Sequence, residues 1–256
     1  MKRDNNFAAI ICAAGCSSRM GGLKKEYCPA PNTDKTVLGM AVSAFIGIPC
    51  ISTIVITVPA SAENGEAAAR RALPPGLPEA GGLPKIVFAQ GGKTRRASVQ
   101  NALLLLREYQ PGYVLIHDGS RPWISPQLIL RVAEAVQRHG AVIPALPLVG
   151  TPKETAAPLE AAFAEGLEAE PVYVTRHLRR SHTVIAQTPQ AFAFAQILSA
   201  HEKAAEKENQ GMHEYTDDAE VWGEFCGPVA VIPGEPENRK ITFPEDLKVD
   251  SHGGAA

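Results

Sequence analysis

The chain has 256 residues, of which 45% are hydrophobic and 20% are charged, and its 25 Lys and Arg against 27 Asp and Glu give a formal net charge of -2. This composition excludes fibrous and disordered chains, and the charge balance excludes a general nucleic-acid binder because there is no basic excess to displace counterions from a polynucleotide. The 5 cysteines form no Cys-x-x-Cys pair, which favours a reducing cytoplasm over a disulfide scaffold or a zinc site.

Short apolar runs alternate with helical patterns along the chain. The predicted strands are 8–13, 54–58, 86–88, 113–117, 141–148, 184–186 and 229–232. The predicted helices are 35–46, 95–108, 126–139, 192–208 and 217–225. Strands that are hydrophobic on both faces and alternate with helices predict a mostly parallel sheet with helices on both faces. We therefore expect one α/β domain over residues 1–256.

The first apolar run, residues 7–14, is too short to span a membrane and leads directly into a glycine-containing loop. It is therefore predicted to be a buried strand rather than a signal sequence, and no other run approaches a spanning length. We expect no membrane association.

The loop after this strand has the composition of an anion site. Ala13, Ala14 and Gly15 let backbone amides approach a phosphate chain, and Arg19 and Lys25 supply positive charge. Neither a Gly-x-Gly-x-x-Gly nor a Gly-x-x-x-x-Gly-Lys-Ser/Thr motif is present, which disfavours hydride transfer and P-loop ATPase chemistry. The alternative is a surface loop with ordinary basic residues.

Two stretches have the composition of insertions. Residues 61–84 are rich in Ala, Gly, Pro and Glu, which predicts a solvated helix and loop. Residues 156–171 are rich in Ala and Glu, and they form either an exposed helix or an arm that reaches a neighbouring subunit.

A second candidate loop lies between the strand 86–88 and the helix that follows it. Gly91 and Gly92 let the backbone lie close to a flat ring, and the Ser98 hydroxyl near the helix start can bond to a base edge. The alternative is plain helix capping by Thr94 or Ser98.

The strand 113–117 leads into the sequence His-Asp-Gly-Ser-Arg-Pro. Asp118 follows a buried parallel strand, where open α/β sheets bind ligands, and its carboxylate is a natural partner for Mg²⁺. Arg121, three residues on, can face a phosphate. The alternative is that Asp118 caps the following turn and pairs with Arg121.

Hydroxyl and arginine side chains farther along the chain suit a phosphomonoester acceptor. They are Thr151, Arg180 with its neighbour Arg179, Thr188 and Thr216. Each signal is weak alone, because Thr188 precedes a proline and is extended for steric reasons, and Thr216 could cap the next helix. Near the end of the chain, a lysine at position 240 would complete a cationic collar around the phosphates.

Taken together and in this order, these segments resemble the 2-C-methyl-D-erythritol 4-phosphate cytidylyltransferase family of the non-mevalonate isoprenoid pathway, along nearly the whole chain. The matching motifs are Ala-Ala-Gly…Arg-Met at 13–20 with Lys25 and Tyr27, Gly-Gly…Arg…Ser at Gly91, Gly92, Arg96 and Ser98, His-Asp-x-x-Arg-Pro at 117–122, Thr-Pro-Gln at 188–190, Thr-Asp at 216–217 and Lys-x-Thr-x-Pro-Glu-Asp-Leu at 240–247.

The resemblance implies a Rossmann-like nucleotidyltransferase sheet with a protruding dimerisation arm at about residues 149–182. It implies transfer of a cytidylyl group from CTP to methylerythritol phosphate, with Mg²⁺ as cofactor, in a homodimer. The implied nucleotide-binding residues are Ala13, Ala14, Gly15, Gly91, Gly92 and Ser98. The implied catalytic residues are Arg19, Lys25 and Lys240 at the triphosphate and Asp118 with the metal. The implied acceptor-binding residues are Arg121, Thr151, Arg180, Thr188 and Thr216, with Thr151 and Arg180 acting in the neighbour's site.

Departures from the family pattern leave alternatives open. Arg179 competes with Arg180 because the arm carries extra residues, and Lys24 competes with Lys25. No cyclodiphosphate synthase sequence follows in this chain, and we expect the unfused form. The rival functions are a ribitol 5-phosphate cytidylyltransferase, which shares the nucleotide motifs, and a non-catalytic sensor of cytidine nucleotides.

The implied reaction is in-line attack by the acceptor's phosphate oxygen on the α-phosphorus of CTP, with release of pyrophosphate. Both reactants are anionic, so the protein has to align them and neutralise charge with fixed cations and Mg²⁺. We expect His117 to have a packing or hydrogen-bonding role rather than to act as a base, because the nucleophilic phosphate is already ionised at neutral pH.

Overall fold

The computed structural model describes residues 6–17, 20–60, 65–77, 84–158, 171–211 and 213–248, and the elements below lie within these ranges. The strands are β1 (Phe7–Cys12), β2 (Ile51–Val58), β3 (Lys85–Gln90), β4 (Tyr113–Asp118), β5 (Ala141–Pro147), β6 (Lys153–Thr155), β7 (Val174–His177), β8 (Val184–Ala186), β9 (Gln190–Ala193) and β10 (Ala230–Pro233). The α-helices are α1 (Val37–Ile46), α2 (Gly65–Ala72), α3 (Arg95–Leu106), α4 (Pro126–His139), α5 (Phe194–Asn209) and α6 (Asp218–Phe225).

The main sheet has the strand order β10-β5-β9-β4-β1-β2-β3. Strand β1 is parallel to β2 and β4, and β2 is parallel to β3, whereas β9 is antiparallel to both β4 and β5. The predicted α/β class with a mostly parallel sheet is confirmed. The sequence did not predict β9, because its four residues run directly into α5 and their strand state depends on pairing with β4 and β5.

Both faces of this sheet are covered by helices, and its inner strand β1 is apolar along its whole length. In β1, Phe7, Ala9 and Ile11 pack against helices α1, α2 and α4. The alternate residues Ala8 and Ile10 pack against α3, α5 and α6 on the other face. All five side chains are at most 1% exposed. A strand buried on both faces is typical of a parallel sheet between two helical layers.

Helix α4 has the bounds that the sequence predicted. The Ser125 hydroxyl accepts a hydrogen bond of 3.0 Å from the backbone N–H of Leu128, and Pro126 occupies the first helical turn. Gly140 ends the helix with a φ of 76°, a conformation that favours glycine. Helix α6 is capped by Asp217, whose side chain accepts from Glu220. The capping role considered for Thr216 is therefore wrong.

The chain divides into two compact units, Met1–Pro144 with Gln187–Ala256, and Ala145–Ala186. In the second unit, β6 and β7 pair antiparallel, and β8 pairs antiparallel with the end of β5. This unit contains the predicted arm at 149–182. It exposes several large apolar side chains to solvent, namely Val149, Tyr173, Val174, Val184 and Ile185. Residues 159–170 of the stretch 156–171 lie outside the described residues.

The other predicted insertion, 61–84, contains helix α2, whose Ala69 and Ala72 are buried against the main sheet's helical layer. Residues 61–64 and 78–83 of that stretch lie outside the described ranges.

Where the chain is described, no helix combines the length and the apolar character that crossing a membrane requires. All 5 cysteines are unpaired thiols.

Candidate active site

A cavity of about 460 Å³ lies in the first unit, at the carboxyl ends of the parallel strands β1 and β4. This is the edge at which open α/β sheets bind ligands. Its lining includes residues 14–17 after β1, residues 92–95 and Ser98 after β3, and the side chains of Lys25, Asp118 and Lys240. The structure therefore brings together four motifs that are far apart in the sequence.

Asp118, the last residue of β4, is 8% exposed and is surrounded by cations. Lys240 Nζ lies 2.9 Å from Asp118 Oδ2, Arg121 Nε lies 3.4 Å from the same oxygen, and Arg95 Nη2 lies 4.0 Å from Oδ1. Burial alone would raise the pKa of this carboxyl, but Lys240, Arg95 and Arg121 outweigh burial and hold the pKa well below its ordinary range. Asp118 is therefore an anion.

Of the two competing lysines, Lys25 lines the cavity. Lys24 instead contacts the carbonyl oxygen of Gly15, forms an ion pair of 3.0 Å with Glu26 and lies over the ring of Tyr27. Lys24 therefore braces the loop after β1, whereas Lys25 contributes to the lining of the cavity.

The Gly91-Gly92 segment packs tightly against its neighbours. A Cβ atom on Gly91 would lie 2.5 Å from Ala14 Cβ, and one on Gly92 would lie 2.5 Å from Ala97 Cβ. The Ser98 hydroxyl accepts a hydrogen bond of 3.0 Å from the Gly92 N–H while Thr94 caps α3. Ser98 therefore fixes this loop, and capping belongs to Thr94.

The loop after β1 contributes Ala14 and Gly15 to the lining. Ala13 is fully buried and donates its backbone N–H to Thr57 Oγ1 at 3.0 Å. This hydrogen bond holds the end of β1 against β2.

Arg95 is a site residue that the sequence analysis missed. It lines the cavity, and its Nη2 lies 2.8 Å from Asp218 Oδ2. Arg96, to which the resemblance assigned the family's arginine, points the other way. It is 5% exposed, its Nε forms a 2.6 Å ion pair with Glu208 on α5, and its Nη1 donates to Gln100. The arginine that faces the cavity is therefore Arg95.

Thr188 and His117 belong to a buried hydrogen-bond network at the end of β4. Thr188 Oγ1 accepts from the Asp118 N–H at 3.1 Å and lies 3.0 Å from His117 Nδ1. His117 Nε2 lies 3.2 Å from the carbonyl oxygen of Arg121. Burial is the main cause that lowers the pKa of His117, to about 4. At neutral pH the ring is uncharged and hydrogen-bonded on both sides, which fits a structural role better than general-base catalysis.

Arg121 and Thr216 are both engaged within the protein. Arg121 Nη1 donates to the Asn238 carbonyl at 2.7 Å, in addition to its contact with Asp118. Thr216 is exposed, and its hydroxyl donates to Glu220 Oε2 at 2.8 Å.

The remaining acceptor candidates lie in the second unit. Thr151 is exposed, and so are Arg179 and Arg180. Arg180 Nη1 donates to the carbonyl oxygen of Val149 at 3.1 Å, so it is held within its own unit. Arg19, the remaining catalytic candidate, lies outside the described residues.

The donor set fits a magnesium ion that is held mainly by substrate phosphates. Among the described residues there is no group of three or more His, Cys, Asp or Glu side chains that could cage a metal. Mg²⁺ is often bound by one or two carboxylates together with nucleotide phosphates. The ionised Asp118 carboxylate at the cavity is a suitable protein ligand of this kind.

The sequence model of the 2-C-methyl-D-erythritol 4-phosphate cytidylyltransferase family matches residues 7–251. A bifunctional enzyme IspD/IspF of Anaeromyxobacter sp. (strain Fw109-5) is 36% identical over 248 residues, which cover 96% of this chain and 57% of the relative. The chain spans about half the length of the curated relatives that it matches first.

Solved structures are also similar to this chain. The 2-C-methyl-D-erythritol 4-phosphate cytidylyltransferase of Thermus thermophilus is 31% identical, with a TM-score of 0.61 over 93% of this chain and 94% of that one. The 4-diphosphocytidyl-2C-methyl-D-erythritol synthase of Anaerococcus prevotii DSM 20548 is 27% identical, with a TM-score of 0.74 over 95% of this chain and 93% of that one.

Proposed function

The chain belongs to the 2-C-methyl-D-erythritol 4-phosphate cytidylyltransferase family, and we propose that it transfers the cytidylyl group of CTP to 2-C-methyl-D-erythritol 4-phosphate. The products are 4-diphosphocytidyl-2-C-methyl-D-erythritol and pyrophosphate. The observation that carries this proposal is the grouping of Lys25, Arg95, Lys240 and an ionised Asp118 around one cavity at the carboxyl edge of the sheet.

The cavity provides what a nucleoside triphosphate needs. The residues after β1 and the Gly92–Ser98 segment present backbone groups and small side chains, which suit a base and a sugar at close range. Lys25, Arg95 and Lys240 provide positive charge for the phosphate chain. Arg19 is assigned to the same phosphates by its place in the family motif.

In the proposed reaction, a phosphate oxygen of the acceptor attacks the α-phosphorus of CTP. A P–O bond forms there as the bond to the β-phosphate oxygen breaks, and pyrophosphate leaves. The fixed cations offset the negative charge that accumulates on the transferring phosphoryl group. No protein nucleophile is required, because the attacking oxygen is already ionised.

Magnesium would be held by Asp118 and the phosphates of CTP, and it would add positive charge at the phosphoryl group. Lys240 now pairs with Asp118 at 2.9 Å. Asp118 therefore holds Lys240 beside the carboxylate that would take the metal.

We place the acceptor against Arg121, Thr151, Arg180, Thr188 and Thr216 in a homodimer, with Thr151 and Arg180 serving the neighbouring subunit's site. The exposed apolar side chains of the second unit support a partner surface there, because large apolar groups left in water favour association. The unpaired cysteines support a reducing compartment, and we assign the enzyme to the cytoplasm.

The direct test is release of pyrophosphate from CTP and Mg²⁺, with methylerythritol phosphate and ribitol phosphate offered in parallel. We expect a strong preference for methylerythritol phosphate. A preference for ribitol phosphate would keep the chemistry and overturn the proposed acceptor. Binding of CTP without turnover of either acceptor would overturn the catalytic proposal and favour a nucleotide sensor.

A further inference from the structure

Glu26 places a nearly buried carboxylate in the lining of the cavity. The residue is 5% exposed, and it lies in the same lining as Lys25 and Lys240. A negative charge beside nucleotide phosphates opposes their binding. The carboxylate is therefore unsuited to contact with the phosphates, and its contacts within the protein explain it better.

One oxygen of this carboxylate joins two other residues. Lys24 Nζ lies 3.0 Å from Glu26 Oε2, and the Ser17 hydroxyl donates to the same oxygen at 3.3 Å. Lys24 Nζ also donates to the carbonyl oxygen of Gly15. Together, Glu26 and Lys24 bind both ends of the segment 15–17, which belongs to the loop after β1.

Ser17 has a backbone conformation that needs support from its surroundings. Its φ is 52°, in the left-handed region that residues other than glycine seldom adopt. Such a residue persists where neighbouring groups hold it, and the hydroxyl bond to Glu26 is one such hold. The Ser17 carbonyl oxygen also accepts from the N–H of Met20 at 2.9 Å, and Met20 is 4% exposed. In the sequence, these two residues flank Arg19, which the family motif assigns to the phosphates.

The segment that carries Glu26 is fixed to the core. Lys25–Tyr27 form one turn of 3-10 helix, and Tyr27 packs against the core cluster that includes residues of α1. The N–H of Val37, the first residue of α1, donates to the Cys28 carbonyl oxygen at 2.9 Å. Glu26 is therefore a firm anchor for the more exposed loop after β1.

We propose that Glu26 is a positioning residue for the nucleotide. Its carboxylate holds the loop after β1 in the conformation that receives the phosphates, and Lys24 offsets the negative charge that this anchor brings into the cavity. Glu26 thus acts through the loop rather than by contact with the nucleotide. The identity of the ligand rests on the proposed function.

Positioning and simple charge repulsion predict opposite effects of removing this carboxylate. The test compares Glu26→Ala, which removes the carboxylate, with Glu26→Gln, which removes its charge and keeps an oxygen that accepts from Ser17 and Lys24. Binding of CTP with Mg²⁺ is measured by calorimetry in the absence of any acceptor. We expect Glu26→Ala to weaken CTP binding by about tenfold, although it removes a negative charge, and Glu26→Gln to stay within about threefold of the parent protein.

Steady-state kinetics should divide in the same way. The KM for CTP should rise in Glu26→Ala, whereas the KM for methylerythritol phosphate should change by less than about twofold. Because calorimetry needs no turnover, a parent protein that binds CTP but transfers nothing would disprove the proposed function and leave the role of Glu26 open to measurement.

Two results of the calorimetry would overturn the proposal. Tighter CTP binding in both variants would mean that Glu26 affects the nucleotide only through its charge. CTP binding at the parent affinity in Glu26→Ala, together with a lower free energy of unfolding in urea, would mean that Glu26 serves the fold alone.

A second measurement needs neither nucleotide nor the loss of the carboxylate, in case Glu26→Ala does not fold. Ser17→Ala removes only the half-buried hydroxyl that donates to Glu26. Since the Met20 amide is bonded to the Ser17 carbonyl oxygen, its hydrogen exchange reports on the loop. We expect this amide to exchange about fivefold faster in Ser17→Ala, with the amides of β4 unchanged. Exchange at the parent rate would show that the bond to Glu26 does not hold the loop, and the proposal would fail.

Discussion

The guanidinium of Arg95 lies 2.8 Å from the carboxylate of Asp218, which is 1% exposed. On its far side Asp218 meets the buried His201, whose Nε2 lies 3.2 Å from Oδ1. Burial would raise the pKa of Asp218, but Arg95 and His201 lower it below its ordinary value. Asp218 therefore remains an anion. Arg95 Nη2 lies closer to Asp218 than to Asp118, whose Oδ1 is 4.0 Å away.

We predict that Asp218→Asn destabilises the fold. The substitution leaves Arg95 and His201 without their anion, and breaking a buried charge pair by removing one partner costs about 3–5 kcal/mol. The free energy of unfolding in urea should fall by an amount of this order.

The control is Glu134→Gln, which removes an exposed ion pair with Arg138. The side chain of Glu134 is 70% exposed and that of Arg138 is 64% exposed. That change should cost about 0.5 kcal/mol or less, because solvent screens such pairs. Equal losses of unfolding free energy in the two variants would show that Asp218 stabilises the fold no more than an exposed ion pair does.

We further predict that Asp218 affects nucleotide binding through Arg95. Asp218→Asn should weaken CTP binding by about fivefold in the parent protein, because Arg95 is free to turn toward Asp118 and neutralise it. In an Arg95→Ala background the same substitution should have little further effect on the dissociation constant.

Calorimetric titration of the parent protein, the two single variants and the double variant gives the coupling between the sites. Interaction energies between residues in one network are typically about 0.5–3 kcal/mol. Additive effects on CTP binding would mean that Asp218 contributes only to stability.

The sequence alone could have predicted that Arg95 faces the cavity. On a helix, residues three apart share a face, so the cavity-facing Ser98 has Arg95 on its own side, whereas Arg96 pairs with Gln100 four residues on. The sequence could not predict the ion pair of Arg96 with Glu208. This pair joins residues 112 positions apart and depends on how α5 packs against α3. Helix bounds followed from local capping, whereas these buried charge pairs follow from tertiary packing.

A second limit of sequence reasoning concerns hydroxyl groups. A threonine next to a phosphate site suggests a ligand contact, and only the structure reveals that Thr188 is bonded to Asp118 and His117. By contrast, the placement of Asp118 at the strand end followed from the parallel sheet itself, because all such strands end at one edge.

We predict that Lys25 and not Lys24 provides the charge for the phosphates. Lys25→Met should lower kcat/KM by roughly 100-fold, on the order of 3 kcal/mol, because it removes one preorganised cation from the cavity. Lys24→Met should cost much less, since Lys24 contacts Gly15 and Glu26.

Steady-state kinetics with CTP as the varied substrate separates the two lysines. Circular dichroism of both variants shows whether the fold is retained. A larger loss for Lys24→Met would reverse the assignment made from the cavity lining.

We predict that Gly91→Ala weakens CTP binding by roughly tenfold. The added Cβ would lie 2.5 Å from Ala14 Cβ and 3.1 Å from the Val58 carbonyl oxygen, so the loop after β1 or the loop after β3 has to move. Both neighbours are backbone or Cβ atoms that no rotamer change can displace. Because Gly91 and Ala14 sit on the two loops that frame the cavity, the displacement should appear in nucleotide affinity.

The matched control is Gly223→Ala on α6, where an added Cβ meets nothing within 4 Å. That variant should bind CTP as the parent does and should unfold at slightly higher urea, because alanine favours a helix over glycine by about 0.5–1 kcal/mol. Unchanged CTP affinity in Gly91→Ala would mean that the two loops can separate without cost. The close packing of Gly91 on Ala14 would then not define the nucleotide site.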